Sequence, residues 1–428
     1  MATVAESTKA LVQKTHNTRE RVIGILFLVA AVAIYVLFAN SVTPQAVTTF
    51  GLNVGNVKVE DKLPDWQLPT FATTATLAAV TAAFGAFQLA RGFGRSSNAM
   101  VGVVTLFFIF SLLAWATGSA DKSLNLIGLL KTTLLRSVPL TLGALSGLLC
   151  ERAGVVNIAI EGMLLAGAMM AAFIGSVTQN LWMGVLAAML TGAFLALIHA
   201  ILSIRYKVDQ VISGTVINIF SVGLTSFISA RVLQPNNDTW NTPGTFKAIP
   251  IPFLSDIPII GPIFFDSTIF TYATFILLIV VHVGLFYTRW GLRVRAVGEH
   301  PKAADTLGIN VIRTRYINVI LGGLMAGFGG AYFTVGSVGG FDELMTAGRG
   351  FIGLAAMIFG NYSPFGAFGS ALIFGFADSL QNRLAILSVP IPSQFLLMAP
   401  YIATMLALAG LVGRVTAPAA DGQPYEKQ

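Results

Sequence analysis

The sequence predicts an all-α membrane protein, a polytopic bundle of about twelve transmembrane helices. Only 11% of its 428 residues are charged and 55% are hydrophobic, whereas a typical soluble domain has about 25% charged residues. Apolar runs close to the ~20 residues that span a bilayer recur along the chain. Its 43 glycines suit a bundle of membrane helices, because small residues let such helices approach one another closely.

Twelve apolar segments are candidate spans. They are 22–40, 70–90, 99–118, 126–149, 157–178, 181–203, 211–232, 269–288, 316–338, 350–361, 364–383 and 394–413. Segment 350–361 is too short to cross alone, and such short spans occur where backbone is buried in protein or lines a cavity. We expect no cleavable signal peptide, because residues 1–21 are polar and segment 22–40 has no small-residue cleavage site.

Basic residues orient these spans, because short loops rich in Lys and Arg face the cytoplasm. The N-terminal tail and the loops 91–98, 203–210 and 288–315 are basic, whereas loop 233–268 carries three Asp and a single Lys. Both termini are therefore predicted to be cytoplasmic, provided that 350–361 counts as a crossing. The net charge of +7 is explained by these loops, and nucleic acid is not an expected partner.

The predicted organisation has four parts. Residues 1–120 form an N-terminal extension with about three spans, 121–413 form the core, and 414–428 form a C-terminal tail. Within the core, the cytoplasmic loop 288–315 opens with a basic stretch. Pro301 suits the first position of a helix and Gly308 suits its end. A short amphipathic helix at about 301–307 is therefore predicted, well suited to dock against a cytoplasmic partner.

Several kinds of chemistry are missing from the sequence. It contains no G-x-x-x-x-G-K-[ST] loop to hold ATP phosphates, and its single Cys150 allows no internal disulfide. Four scattered histidines give no metal-binding spacing, so neither a metal site nor a catalytic residue is expected. His199 and His282 lie in spans, where a hydrogen-bonded packing role is favoured over a proton relay.

Four motifs carry a family resemblance. They are LSGLLCERAGVVNIAIEGMLLAGA (145–168), DQVISGTVINIF (209–220), RAVGEHPKAADTLGINVIRTR (295–315) and GRGFIGLAAMIFGNYSPFGAFGSALIFG (348–375). In this order they resemble the permeases of ABC importers in the branched-chain amino acid and simple-sugar superfamily, and within it the nucleoside and simple-sugar branch. The resemblance covers about 130–413 and implies a ten-span core like that of type II importers. The extension departs from the family pattern.

The resemblance implies a permease subunit of the bacterial plasma membrane that works by alternating access. Its implied partners are a cytoplasmic ABC ATPase, a homologous second permease and a substrate-binding lipoprotein. ATP and Mg would bind the ATPase, so this chain needs no cofactor. Nucleosides are the implied substrates, with riboflavin, simple sugars or another small polar solute as alternatives. An ion-coupled secondary transporter is a less favoured reading, since it needs buried acids and only Glu161 and Asp378 qualify.

The resemblance and the residue chemistry together give three sets of candidate site residues. The predicted ATPase-coupling residues are Gly298, Glu299, His300, Pro301, Lys302, Ala303, Ala304, Leu307 and Gly308. Glu151, Arg152, Gly154 and Gly162 are assigned to a structural motif at a helix reversal. The candidates for the substrate path are Asn157, Glu161 and Asn218, of which the first two are expected to share one helix face at i,i+4. Arg136, deep in span 126–149, has no partner that the sequence identifies.

Overall fold

The computed structural model describes residues 2–54, 62–387, 398 and 415–427. Helix accounts for 73% of the structure, which confirms the all-α prediction. The chain divides into two compact units. The first contains residues 1–128 and 381–396, and the second contains residues 129–380 and 397–428.

Three long helices and a small sheet make up the described part of the first unit. The helices are α1 (Ala2–Ala33, continued by a π-helical turn, Ile34–Ala39), α2 (Thr70–Ala90) and α3 (Ser97–Ala120, preceded by a 3-10 turn, Gly94–Ser96). Strand β1 (Val47–Gly51) pairs antiparallel with β2 (Trp66–Pro69) and parallel with β3 (Ser123–Asn125). Phe50 is fully buried at the centre of this sheet, where its ring packs against Trp66 and Phe110.

The second unit is built from further helices. They are α4 (Leu126–Glu151), α5 (Ile160–Thr178), α6 (Leu181–Ala200), α7 (Gln210–Ile228), α8 (Asn237–Trp240), α9 (Ile269–Tyr287), α10 (Arg289–Glu299), α11 (Pro301–Thr306), α12 (Val311–Phe333), α13 (Arg349–Phe359) and α14 (Pro364–Leu387). The π-helical turns Ile201–Arg205, Ser229–Leu233 and Thr334–Val338 extend α6, α7 and α12, and a 3-10 turn, Gln234–Asn236, leads to α8. Between α8 and α9, a π turn (Gly261–Phe265) accompanies a two-stranded ladder of β4 (Ile249–Pro250) and β5 (Asp266–Ser267).

In the described part of the chain, nine helices are long and apolar enough to cross a membrane. All nine coincide with predicted spans, and α13, with 11 residues, is as short as the sequence predicted. Several boundaries differ from the prediction. The largest difference is at α1, which begins at Ala2 rather than near residue 22, while α5 begins at Ile160 and α12 at Val311. The predicted span 394–413 lies outside the described residues, apart from residue 398.

Glycines set the distance between α6 and α12, which cross at the centre of the second unit. A Cβ atom at Gly192 would lie 2.2 Å from the carbonyl oxygen of Gly323, and one at Gly327 would lie 2.2 Å from that of Ala188. Real Cβ atoms do not approach carbonyl oxygens so closely, so the two backbones touch directly. This close packing is the arrangement that small residues provide in membrane bundles.

Replacing Gly327 by Ala should therefore destabilise the protein, because the new methyl group would push α12 away from α6. Overpacking of this kind costs about 1–3 kcal/mol. The measurement is the midpoint of thermal unfolding of the purified protein in detergent. Gly223→Ala on α7 is the matched control, since no atom lies within 4 Å of a Cβ there. Equal midpoints for the two variants would contradict the close packing.

Candidate functional site

Two short helices, α10 and α11, occupy the loop in which a coupling helix was predicted. His300 joins them, and its Nδ1 accepts a hydrogen bond from the amide of Ala303 at 3.2 Å, which caps α11. Pro301 is the first residue of α11, and Gly308 has a φ of +77° just after its end. The predicted helix is present, whereas the helical conformation of the preceding basic stretch, α10, was not predicted.

A buried core beneath these helices leaves one side of α11 open. Val297 and Ala304 pack with Val311 of α12, and all three are buried. Lys302 of α11 and Leu307, which follows its last residue, are exposed, and Leu307 is 81% accessible.

Between α4 and α5 the chain runs through a buried, non-helical segment, 152–159. Gly154 takes a φ of +81°, a conformation that glycine adopts without strain. The amides of Gly154 and Val155 turn back to the carbonyl oxygens of Glu151 and Cys150, at 2.9 and 3.1 Å. These bonds close the last turn of α4, which ends at Glu151.

Side chains from other helices satisfy the rest of this segment. The side-chain oxygen of Gln210 accepts from the amide of Val156 at 2.6 Å, and Nε2 of His199 lies 2.9 Å from the Val156 carbonyl oxygen. Asn218 donates to the carbonyl oxygen of Ile158 at 2.8 Å. Buried backbone groups need such partners, so these side chains, His199 included, hold the break in place.

One expectation about the substrate-path candidates is wrong. Because α5 begins at Ile160, Asn157 lies before the helix and does not share a helical face with Glu161. The side-chain oxygen of Asn157 accepts from the amide of Ala159 at 3.2 Å. An Asn side chain often accepts a hydrogen bond from the backbone amide two residues later, and this bond competes with helix formation.

Glu161 binds the start of the short helix α13. Its carboxylate accepts from the Thr346 hydroxyl at 2.7 Å and from the amides of Gly348 and Gly350 at 2.8 and 2.6 Å. The first amides of a helix have no partner within the helix, and a negative charge is favoured there. Glu161 therefore caps α13, and a Cβ atom at Gly350 would lie 2.6 Å from the Cα of Glu161.

Asn218 makes a second bond, which fixes α7 to the start of α5. Its side-chain oxygen accepts from the amide of Gly162 at 2.8 Å, and a Cβ at Gly162 would lie 2.7 Å from Oγ of Ser221. Asn157 and Asn218 thus bind backbone groups near the start of α5, and Glu161 binds those at the start of α13. Their role in lining the substrate path stays a prediction.

A cluster of charges explains Arg136, which had no partner in the sequence analysis. Nη1 of Arg136 lies 2.5 Å from Oδ2 of Asp378, and Nη2 of Arg349 lies 3.6 Å from the same oxygen. Charges within apolar helices require an opposite charge or water. The three side chains are 35%, 26% and 25% exposed, respectively. Arg349 is the first residue of α13.

The helix break and the two-helix loop meet directly, although 146 residues separate Arg152 from Gly298. A Cβ atom at Gly298 would lie 2.3 Å from the carbonyl oxygen of Arg152, so no side chain fits there. The guanidinium of Arg152 donates from Nε and Nη2 to the carbonyl oxygen of Tyr362 at 3.0 and 2.7 Å. The structure thus joins residues predicted for the structural motif to residues predicted for coupling.

The C-terminal segment, residues 415–427, also contacts the junction between the helix break and the loop of α10 and α11. The amide of Ala420 donates to the carbonyl oxygen of Gly298 at 2.8 Å, and the amide of Ala419 donates to Glu299 at 3.2 Å. The carboxyl groups of Asp421 and Glu151 are hydrogen-bonded to each other. Burial raises the pKa of Asp421 to about 6. Within the described part of the chain, no group of three or more His, Cys, Asp or Glu could hold a metal ion.

Comparison with known proteins identifies the class. Residues 129–409 match the family described as the permease component of branched-chain amino acid transport systems. The chain is therefore a multi-pass membrane permease component. It belongs to this family, which confirms the resemblance seen in its four motifs. No solved structure matches the chain.

Three relatives lie close in sequence, each over a large part of its length. The guanosine ABC transporter permease protein NupQ of Bacillus subtilis is 44% identical over 309 residues, which is 69% of this chain and 95% of NupQ. The nucleoside ABC transporter permease protein NupC of Lactococcus lactis is 39% identical over the same shares. The putative glucose ABC transporter permease protein TsgC13 of Haloferax volcanii is 37% identical over 61% of this chain and 79% of TsgC13. Lactococcus lactis also has a second nucleoside ABC transporter permease protein, NupB, which is 26% identical to this chain.

Replacing Glu161 by Gln should lower thermal stability, because an amide offers one acceptor oxygen where the carboxylate offers two. At least one amide at the start of α13 would be left without a partner, at a cost of about 1–3 kcal/mol. The thermal unfolding midpoint in detergent measures the loss. Glu343→Gln is the matched control, since Glu343 is exposed. An unchanged midpoint for Glu161→Gln would show that the cap contributes little.

Docking of the C-terminal segment should weaken as pH rises. Asp421 faces Glu151 and Arg315, and the Tyr362 hydroxyl is hydrogen-bonded to Glu151. Because the docked Asp421 has a pKa of about 6 and a free Asp about 3.9, the docked state binds more protons between these values. Docking is therefore strongest below about pH 4 and weakens as the pH rises through about 6.

A spin label at Lys427→Cys measures this docking as loss of mobility, since the native Cys150 is buried. The labelled segment should be less mobile at pH 5 than at pH 7. Adding Asp421→Asn should remove the pH dependence while keeping a hydrogen bond to Glu151. A dependence that survives in the Asn variant would assign the titration to another group.

Proposed function

We propose that this chain is a permease subunit of an ABC importer that carries nucleosides across the bacterial plasma membrane. The contact between Gly298 and Arg152 carries the proposal, because it connects an exposed two-helix loop to a break inside the bundle. The choice of nucleosides as the substrate is supported by the names of two relatives. NupQ is a guanosine ABC transporter permease protein, and NupC is a nucleoside ABC transporter permease protein.

Transport follows alternating access, driven from outside this chain. The exposed side of α11, with Lys302 and Leu307, docks against a cytoplasmic ABC ATPase. Closure of the ATPase moves α10 and α11, and the Gly298 contact passes this movement to the break between α4 and α5. Packed elements transmit such shifts because they do not deform continuously. ATP and Mg bind the ATPase, and this chain needs no cofactor.

Two further proteins complete the proposed importer. A homologous second permease pairs with this chain, as supported by two nucleoside permease proteins, NupC and NupB, in one bacterium. A substrate-binding lipoprotein delivers the small-molecule substrate at the outer face. Neither step involves nucleic acid.

The cytoplasmic face is proposed from the basic loops. Lys207 pairs with Glu426 of the C-terminal segment, and Ala420 of that segment binds Gly298 in the loop of α10 and α11. The C-terminal segment thus lies at the same face as two basic loops, which supports a cytoplasmic C-terminus. The basic N-terminal tail supports a cytoplasmic N-terminus.

Uptake of labelled guanosine tests the substrate. The permease, its ATPase, the second permease and the lipoprotein are reconstituted in vesicles, with ATP supplied on the ATPase side. We expect ATP-dependent uptake of guanosine that excess unlabelled nucleoside blocks. Glucose is the alternative substrate, because the relative TsgC13 is named a putative glucose ABC transporter permease protein. Unlabelled glucose, ribose and riboflavin are therefore also tested as inhibitors of the uptake. Uptake blocked by a sugar or by riboflavin, and not by nucleosides, would replace the proposed substrate.

Gly298→Val should reduce ATP-driven uptake at least about tenfold, because the new side chain would separate α10 from the carbonyl oxygen of Arg152. Radiolabelled uptake is measured beside membrane insertion, which should be normal. Gly223→Val on α7 is the matched control, because a Cβ there meets no atom within 4 Å. Uptake that persists without the ATPase and stops with a proton ionophore would instead indicate an ion-coupled secondary transporter.

A further inference from the structure

Residues 415–427 follow the surface of the second unit without forming a helix or strand of their own. The amide of Thr416 donates to the side chain of Asn361 at 2.9 Å, in the turn between α13 and α14. Farther along, the carbonyl oxygen of Gln423 accepts from Nη1 of Arg315 at 2.9 Å. Together with the bonds to Gly298 and Glu299, these contacts anchor the segment at three separate elements.

Two features distinguish this segment from an ordinary chain terminus, which is usually poorly ordered unless it is tied down. Pro418 and Ala420 are buried, although neither is part of a helix or strand. In addition, the backbone turns twice within the segment, through bonds from Asp421 to Pro418 and from Gln423 to Ala420. The segment therefore occupies a defined groove.

The groove is formed by the helix break, α10 and the start of α12. A Cβ atom at Gly154 would lie 2.9 Å from Nη2 of Arg315 and 3.1 Å from the carbonyl oxygen of Ala420. Arg315 is only 1% exposed, and Asp421 of the segment supplies an opposite charge next to it. A buried guanidinium needs such a charge and hydrogen-bond acceptors. The segment provides the charge and, through Gln423, an acceptor for Nη1, while Nε and Nη2 have no partner among the described residues.

The far end of the segment lies beside α11. Tyr425 packs against the small apolar cluster that contains Ala304, and it is hydrogen-bonded to Asp305 of α11. Glu426 pairs with Lys207 across the adjoining loop. The exposed side of α11 is therefore bordered by the C-terminal segment.

We propose that residues 415–427 form a strap that positions α10 and α11 for coupling, and that its end, 424–427, is part of the surface on which the ATPase docks. This inference rests on the proposed function. The strap binds Gly298 and Glu299 at one place and Arg315 at another, so it ties the two coupling helices to α12. Movement of α11 then reaches α12 as well as the break between α4 and α5.

Ala420→Pro tests the strap, because proline removes the amide that binds Gly298. Ala417→Pro is the matched control, since Ala417 is exposed and its amide makes none of the contacts above. Both are assembled into the complete importer, and ATP hydrolysis and guanosine uptake are measured together. We expect Ala420→Pro to lower the uptake per ATP hydrolysed at least about fivefold, and Ala417→Pro to leave it unchanged.

Tyr425→Ala and Tyr425→Phe keep the test valid if Ala420→Pro does not fold. Tyr425 is at the surface, and Phe keeps its packing on the apolar cluster while losing only the hydroxyl. We expect about threefold weaker ATPase binding and uptake for Ala and near-normal values for Phe. A purely structural tail would change thermal stability in both Ala420→Pro and Tyr425→Ala without changing uptake per ATP.

The outcomes separate the two proposals. If the wild-type complex shows no ATP-dependent uptake of any tested solute, the proposed function fails. If the wild type transports and both Ala420→Pro and Tyr425→Ala keep its uptake per ATP and its ATPase affinity, the strap is refuted and the proposed function stands.

Discussion

Most of this structure depends on one constraint. Backbone amides and carbonyls that are left without a partner where a helix begins or breaks must find hydrogen bonds elsewhere. Lipid offers no partner to a free amide or carbonyl, and α5 and α13 both begin at buried positions. Glu161 satisfies the start of α13, while Asn218 and Gln210 satisfy the segment that leads into α5. These polar side chains are therefore required by the backbone itself, whatever solute the protein carries.

The same break supplies the contact for the loop of α10 and α11. A helix that continued through 152–159 would have its carbonyl oxygens engaged by its own amides, and its side chains would keep other backbones at a distance. The break instead presents the bare carbonyl of Arg152 to Gly298. A loop seated on backbone atoms cannot slide without breaking close contacts, whereas flexible side chains would absorb part of the movement. This is the property that a mechanical connection needs.

Much of the fold was predictable, because a spanning helix is recorded in the sequence as a long apolar run. Nine such runs are helices, most with boundaries shifted by a few residues, although α1 begins about twenty residues before its apolar run. The start of α5 was not predictable from hydrophobicity, since residues 157–159 are as compatible with a helix as with the turn that Asn157 forms. Arg136 and Asp378 are 242 residues apart, and no local pattern records that pairing. The motifs indicated which residues matter, while the contacts between motifs required the structure.

The C-terminal segment shows why backbone-mediated contacts escape sequence analysis. Residues 417–420 read Ala-Pro-Ala-Ala, which offers no side-chain hydrogen bond and resembles a linker. Ordering a residue costs about 1–2 kcal/mol of backbone entropy, while a hydrogen bond contributes about 1 kcal/mol net. The bonds alone therefore do not hold thirteen residues in place. Burial of Pro418 and Ala420, the packing of Tyr425 on the apolar cluster and the charge of Arg315 must supply the rest, and these depend on the arrangement of α10, α11 and α12. A segment bound largely through that arrangement is loosened when the arrangement changes, so its docking reports the state of the coupling helices.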